Sequence, residues 1–133
     1  MEQTLALIKP DAVERNLIGK ILVMIENDNF IIKHMKSMQM TEPLAKTFYS
    51  VHEGKSFFNK LIKYMTSGSI VALVLEKENA VASFRKLVGT TDPSTAEDNT
   101  IRKLYALDKS YNSVHGSDSL ENAMLEISII FGD

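Results

Sequence analysis

Residues 69–75, Ser-Ile-Val-Ala-Leu-Val-Leu, place the tightest constraint on the fold of this chain. A strand with one face in solvent carries polar side chains at every second position. This run is apolar at every position after its serine. It therefore predicts a central strand with both faces covered, and other elements must pack on both sides of it.

Patterns elsewhere in the chain predict those other elements. Residues 4–9 predict a buried strand, ending where Pro10 restricts Lys9 to extended conformations. Residues 30–40 predict a long strand, and Thr41 and the residues after it open a short helix. Further helices are predicted by apolar residues at helical spacing: Ile18, Ile21, Leu22 and Ile25; Phe58, Leu61, Ile62 and Met65, closed by Gly68; Val81, Phe84 and Val88, stopped by Gly89; and Leu120, Ala123, Met124 and Ile127, capped by Asp118.

This alternation of strands and helices predicts an α/β sandwich, one sheet covered by helices. The 133 residues fit one domain, spanning 1–133. A formal net charge of −2 gives no basic face, so no nucleic-acid partner is expected. There is no apolar run of membrane-spanning length, no secretory signal pattern and no cysteine, so we expect a cytoplasmic protein without membrane contact.

The densest polar cluster is residues 112–119, directly before the last predicted helix. Helix N-termini attract anions, and a neutral imidazole such as that of His115 can attack phosphorus. Gly116 is expected to let the backbone turn sharply beside it. The alternative is that Ser117 and Asp118 merely cap a helix and that His115 occupies a surface turn.

Phosphoryl transfer also requires cations and hydrogen-bond donors around the moving charge. Three basic residues stand near element ends or loops, namely Lys9, Arg85 and Arg102, and Thr91 offers a hydroxyl in the polar loop 90–99. Taken singly, each is as readily a solvated charge or a turn residue. No metal-ligand spacing and no glycine-rich phosphate loop is present.

Two further positions leave a choice open. Glu126 lies about two helical turns beyond Asp118 and can reach back to Ser117 or the imidazole, or else lie exposed. Of Phe57 and Phe58, one is expected in the core and the other turned about 100° away, toward a ligand. His34, in a strand, and His52, in a turn, are weaker candidates.

Read together, these residues resemble the nucleoside diphosphate kinase family along nearly the whole chain. The matching strings are TLALIKPD at 4–11, FY at 48–49, FF at 57–58, GTTDP at 89–93, TIR at 100–102 and NSVHGSD at 112–118. The resemblance implies a ferredoxin-like sandwich with a four-stranded antiparallel sheet. It also implies transfer of the γ-phosphate of a nucleoside triphosphate to a nucleoside diphosphate. The implied route is ping-pong, through a phosphohistidine on His115, with Mg²⁺ held by the nucleotide phosphates and by no direct protein ligand.

The resemblance assigns a role to each candidate residue. Lys9 would contact the transferring phosphate and the sugar, and Tyr49 would support Lys9 and the phosphorylated site. Asn112 would bind the ribose 3′-hydroxyl, and Phe57 would stack on the base with little selectivity. The phosphate chain would be gripped by Arg85, Thr91 and Arg102. His115 would be positioned by Ser117 and Glu126.

The chain departs from the family pattern at Lys109, where an apolar residue usually faces the base opposite Phe57. The lysine stem can cover the base, but base preference can shift. The chain stops at residue 133, as in bacterial members, which implies a homo-oligomer, hexamer or tetramer. Two other functions stay open: a scaffolding homologue that binds partners without catalysis, and a nucleic-acid-binding ferredoxin-like domain.

Overall fold

The computed structural model describes residues 1–132. Its core is a four-stranded sheet in the order β2-β3-β1-β4, with every neighbouring pair antiparallel. The strands are β1 (Glu2–Ile8), β2 (Ile31–Gln39), β3 (Ser69–Lys77) and β4 (Val114–Gly116). The apolar run 69–75 forms most of β3, which lies in the interior of the sheet as predicted.

Helices connect the strands. They are α1 (Pro10–Glu14), α2 (Ile18–Asn27), α3 (Glu42–Phe48), α4 (Phe58–Met65), α5 (Ala80–Val88), α6 (Ile101–Tyr105) and α7 (Leu120–Phe131), with one 3₁₀ turn at Ser50–His52. Within residues 1–132, no helix is both long enough and apolar enough to cross a membrane.

Both faces of the two interior strands, β1 and β3, are covered, which the alternation of side chains along β1 shows. Ala6 and Ile8 pack into one apolar cluster, together with residues of α2, α5 and α6. Leu5 and Leu7 pack into a second cluster, with residues of α3, α4 and α7. The predicted fold class, a sandwich of helices on an antiparallel sheet, is confirmed.

Two helices were predicted to end at a glycine, and the structure confirms this for only one of them. Gly89 ends α5 with φ 91°, as predicted, because only glycine adopts this backbone conformation without strain. The prediction that Gly68 closes α4 is wrong. That helix ends at Met65, and Thr66 covers the last turn by donating its hydroxyl to the carbonyl of Ile62 at 2.8 Å.

The last helix was predicted with the wrong cap and a shifted buried face. Ser119, not Asp118, caps α7 by accepting a hydrogen bond from the backbone N–H of Asn122 at 3.1 Å. Leu120 and Met124 are more than half exposed, at 52% and 57%. The stripe that faces the protein runs through Ala123, Glu126, Ile127 and Ile130. An apolar pattern cannot predict this stripe, because one of its members is a carboxylate.

Candidate active site

A cavity of about 540 Å³ opens beside β4. It is bordered by the end of β1, the segment between α3 and α4, the polar loop and the chain before β4. The structure brings six of the predicted site residues to its wall: Lys9, Tyr49, Phe57, Thr91, Asn112 and His115. Arg85, Arg102, Ser117 and Glu126 lie outside this wall.

His115 is held in one orientation. It lies in β4, opposite Leu7 of β1, so its backbone is fixed by the sheet. Its Nε2 lies 2.8 Å from Oε1 of Glu126, and the same oxygen accepts a hydrogen bond from the hydroxyl of Ser117 at 2.7 Å. A carboxylate at Nε2 favours the proton on that nitrogen, which leaves the lone pair on Nδ1. The predicted reach of Glu126 back to Ser117 and the imidazole is confirmed.

Gly116 does not make the sharp turn predicted beside His115. It lies within β4, and its neighbour across the sheet is Ala6. A Cβ at this position would lie 2.8 Å from Cδ2 of the buried Phe84 ring. The absence of a side chain at Gly116 therefore lets β4 pack closely against α5. This close packing sets how far His115 lies from α5.

Lys9 follows β1 directly and is nearly buried. Its backbone N–H donates to the carbonyl of Ser113 at 2.8 Å, and its ammonium donates to Oδ1 of Asn112 at 2.7 Å. Burial lowers the pKa of Lys9 to about 7, and the nearby charge of Arg102 adds to this, while Asp11 opposes it. A buried cation with a neutral partner is ready to bind an anion.

Tyr49 is buried next to His115. Its ring meets that of His115 edge to face, with centroids 6.4 Å apart. Within residues 1–132, its hydroxyl has no hydrogen-bond partner, and no bond joins it to Lys9. Burial raises the pKa of Tyr49, so the hydroxyl keeps its proton. A buried, unpaired donor beside an imidazole suits a polar ligand.

Arg102 links the end of α5 to β4. Its guanidinium donates to the carbonyl of Gly89 at 3.2 Å and to that of Val114 at 2.8 Å. Nε is buried and has no partner within the described chain. Burial, together with the charge of Arg85, lowers the pKa of Arg102 to about 10. Arg102 thus holds the carbonyl of the residue that precedes His115, and its Nε is left without a partner within residues 1–132.

Arg85 is the predicted residue that the structure separates most clearly from the cavity of His115. It is exposed on α5 and borders a second cavity of about 350 Å³, with Lys86 and Thr90. Its charge still acts on Arg102.

The two phenylalanines divide as expected. Phe58 is buried at 9% exposure, whereas Phe57 is 46% exposed and lines the cavity. Sequence reasoning undervalued His52, whose ring lies 5.2 Å from that of Phe57 and also lines the cavity. The 3₁₀ turn that carries His52 there has no periodic signal in the sequence.

Sequence reasoning also missed a buried carboxylate below Lys9. Asp11 accepts hydrogen bonds from the hydroxyl of Tyr64, from Ser113 at 2.7 Å and from Arg15 at 2.9 Å. These bonds tie the start of α1 to α4 and to the chain before β4. They hold the backbone from which Lys9 and Asn112 project.

The cavity offers cations and hydroxyls rather than metal ligands. None of its described lining residues is a carboxylate, and residues 1–132 contain no group of three or more histidines and carboxylates placed to hold a metal. Mg²⁺ prefers several oxygen ligands and is often held by substrate phosphates.

Comparison with known proteins identifies the family of the chain. The family profile of nucleoside diphosphate kinase matches residues 2–133. A nucleoside diphosphate kinase of Histophilus somni is 53% identical over 100% of this chain and 94% of its own length. The crystal structure of the Aquifex aeolicus nucleoside diphosphate kinase superposes with a TM-score of 0.95 at 41% identity, covering 98% of this chain and 94% of the other.

A third similar structure was solved with a nucleotide. The halophilic nucleoside diphosphate kinase of Halobacterium salinarum, in complex with CDP, has a TM-score of 0.95 at 38% identity, covering 99% of this chain and 88% of the other. The profile match spans the fold and every site residue described above. The chain therefore belongs to the nucleoside diphosphate kinase family, phosphotransferases that move the γ-phosphate of a nucleoside triphosphate to a nucleoside diphosphate through a phosphohistidine.

Proposed function

We propose that Nδ1 of His115 is the atom that carries the phosphoryl group in this chain. The contact between Nε2 and Glu126 at 2.8 Å is the observation that supports this choice most directly. One nitrogen is committed to the carboxylate, so the other supplies the nucleophilic lone pair. The carboxylate also stabilises the positive charge that the ring gains on phosphorylation.

The reaction then proceeds in two balanced steps. Nδ1 forms a bond to the γ-phosphorus of the donor while the bond from that phosphorus to the bridging oxygen breaks, and the nucleoside diphosphate leaves. An oxygen of the acceptor's terminal phosphate then attacks the same phosphorus, and the N–P bond electrons return to His115. His115 holds the phosphoryl group between the two steps, so the first product leaves before the acceptor binds, which makes the mechanism ping-pong.

The charged residues around His115 would stabilise the transferring group. Lys9 is proposed to shift its ammonium from Asn112 toward the phosphate and the sugar, which frees the Asn112 amide for the ribose 3′-hydroxyl. Thr91 lies on the cavity wall, where its hydroxyl can grip the phosphate chain. Arg102 would join it by turning its guanidinium into the cavity from its bonds to the carbonyls of Gly89 and Val114. Arg85 would need to swing in from the neighbouring cavity.

Two aromatic residues complete the proposal. Tyr49 would donate its unpaired hydroxyl to the phosphorylated site, supporting Lys9 by sharing the same ligand rather than by direct contact. Phe57 would stack on the base, which asks only for a flat ring and permits broad base tolerance. Mg²⁺ would be bound by the phosphates, where it neutralises charge during transfer.

The test is labelling of the protein with Mg²⁺ and γ-labelled ATP. We expect acid-labile, alkali-stable label on His115, released by added GDP as GTP. The matched control is His34, which lies in β2 away from the cavity, so that His34→Gln should label normally. A folded protein that binds ATP but takes up no label would contradict the proposal and favour a scaffolding role.

The proposal also covers the assembly of the chain, its domain extent and its cellular location. Residues 1–133 would form one domain that assembles as a homo-oligomer, hexamer or tetramer. In support, β2 is an edge strand and carries exposed Ile31 and Met35, at 47% and 54%. Light scattering of the purified protein tests this, and a monomer would contradict it. A cytoplasmic location would match the proposed nucleotide substrates, and cell fractionation checks it.

A further inference from the structure

One part of the cavity wall is not used by phosphoryl transfer. A series of ring contacts leads away from His115: Tyr49 at 6.4 Å, then His52 at 6.4 Å from Tyr49, then Phe57 at 5.2 Å from His52. Phe57 therefore marks the end remote from the reacting nitrogen. A nucleotide with its terminal phosphate at His115 leaves its base at this end.

Besides Lys9, two lysines line the same cavity but differ in their surroundings. Lys60 has its ammonium over the ring of Tyr111, 5.6 Å from the centroid. Lys109 is exposed, and within residues 1–132 its ammonium has no hydrogen bond, ion pair or ring contact. Its backbone carbonyl accepts a hydrogen bond from the Asn112 amide at 3.2 Å, which fixes where the side chain starts.

The charge of Lys109 acts on Asp92 of the polar loop, but only weakly. The pKa of Asp92 is held low mainly by Ser94, and Lys109 makes a minor contribution. The carboxylate already accepts hydrogen bonds from the hydroxyl and the backbone N–H of Ser94, at 2.8 and 2.9 Å. The ammonium of Lys109 is therefore free to meet a ligand.

An ammonium donates hydrogen bonds and cannot accept them. Guanine and hypoxanthine present an acceptor oxygen at position 6, and uracil and thymine present one at position 4. Adenine and cytosine carry amino donors at these positions, and an ammonium gains nothing from a donor. Lys109 and Phe57 line the same cavity, so an ammonium of Lys109 that reaches the edge of the bound base would distinguish the two kinds of base.

We propose that Lys109 is a specificity-determining residue that favours nucleotides with a keto base over those with an amino base. The proposal rests on the proposed function, since it needs a nucleotide base beside Phe57. The preference is modest, about threefold to tenfold, because one exposed charge-assisted hydrogen bond is weakened by water. Broad base tolerance is thus kept, but with a bias.

The test measures binding of nucleoside diphosphates to the unphosphorylated protein by calorimetry. The matched pairs are inosine diphosphate with ADP and UDP with CDP, because each pair differs only at the edge in question. We expect the keto member of both pairs to bind about threefold to tenfold more tightly. Lys109→Met should bring both ratios to within about twofold, and Lys109→Arg should retain the bias, since only the second keeps a donor.

Two controls separate this effect from others. Lys63→Met removes the same charge from an exposed position of α4 outside the cavity wall, so both ratios should stay as in the parent. Asp92→Asn should also leave them unchanged, and a collapse of the ratios in this variant would show that Lys109 acts through the loop instead.

The outcomes distinguish this inference from the proposed function. Equal ratios in the parent, or unchanged ratios in Lys109→Met, overturn the role of Lys109 while labelling of His115 can still succeed. Normal base selection with no label on His115 overturns the carrier mechanism and leaves the role of Lys109 standing. A folded protein that binds none of the four nucleotides overturns both.

Discussion

The carboxylate of Glu126 lies 2.8 Å from Nε2 of His115, on a helix that follows β4 across a short turn. Its oxygen is also the acceptor for Ser117, so three side chains form one chain of hydrogen bonds. The outer groups decide the tautomer and the direction of the imidazole, as they do for metal-bound histidines.

Replacing Glu126 tests this relationship. Glu126→Gln keeps an oxygen for Ser117 but loses the charge, and Glu126→Ala loses both. We expect phosphorylation of His115 to slow by about tenfold to a hundredfold, more in the alanine variant. Rapid-quench measurement of the labelling rate checks this. Glu121→Gln, exposed on the same helix, is the matched control, and an equal loss there would contradict a specific role for Glu126.

His115→Gln separates the reaction from the fold. We expect turnover to fall below detection, because an amide offers no nucleophilic nitrogen. The free energy of unfolding should change by about 1 kcal/mol, since the substitution removes the hydrogen bond to Glu126 and the packing of one ring on Phe48 and Tyr49. Coupled assays and urea denaturation measure the two quantities. Residual turnover within tenfold of the parent would exclude His115 as the carrier.

The lowered pKa of Lys9 predicts that the protein takes up protons when a nucleotide binds. With its pKa lowered to about 7, Lys9 is largely neutral in the free protein at pH 8. Bound phosphate favours the charged form and raises that pKa, so binding at pH 8 takes up about one proton. At pH 6 Lys9 is already charged, and its share of the uptake disappears. Calorimetry in buffers of different ionisation enthalpy measures this.

Lys9→Met is the control for that uptake. It removes the titrating group, so the difference in proton uptake between pH 8 and pH 6 should shrink relative to the parent. An unchanged difference would assign the protons to another group, such as His52, whose pKa is lowered by burial and by Lys55.

The fold was predictable from the sequence wherever one physical signal dominated. The apolar run 69–75 placed β3 in the interior of the sheet, and Gly89 ended α5. The three-residue strand β4, which carries His115, has too few residues for any periodic pattern. It exists because the backbone of β1 pairs with it, which is a property of tertiary structure.

The sequence nominated the candidate site residues but not their geometry. Motif strings pointed to His115 and Lys9, and helical spacing pointed to Glu126, whereas the contact of the Glu126 carboxylate with Nε2 of His115 is visible only in the structure. The buried face of α7 was also predicted incorrectly, because hydrophobic patterning places a carboxylate on the exposed side of a helix. The Asp11 cluster joins residues about a hundred positions apart, and no local pattern marks it.

Arg102 binds two backbone carbonyls, and its proposed contact with the phosphate chain can be tested separately from them. Arg102→Lys keeps a charge but cannot reach the carbonyls of both Gly89 and Val114 with a planar fork. We expect kcat to fall by about tenfold to a hundredfold and stability to fall by about 1–2 kcal/mol. Lys103→Met on the same helix is the exposed control. A rise in KM without a change in kcat would restrict Arg102 to ground-state binding.

Gly116→Ala tests whether the close packing of β4 against Phe84 controls the reactivity of His115. The new Cβ would lie 2.8 Å from Cδ2 and 3.1 Å from Cε2 of Phe84. Phe84 is fully buried and packs edge to face on Phe30, so it cannot simply turn away. We expect a loss of about 1–3 kcal/mol in stability and a slower phosphorylation of His115, because β4 must move outward.

Gly19→Ala is the matched control for that change. A Cβ at Gly19, in α2, meets no atom within 4 Å, so the substitution should leave labelling unchanged and stabilise the helix slightly. If Gly116→Ala loses stability but labels His115 at the parent rate, then β4 tolerates the displacement, and the position of the imidazole is set by Glu126 rather than by the strand. If both quantities fall together, the close approach of β4 to Phe84 is part of the catalytic geometry.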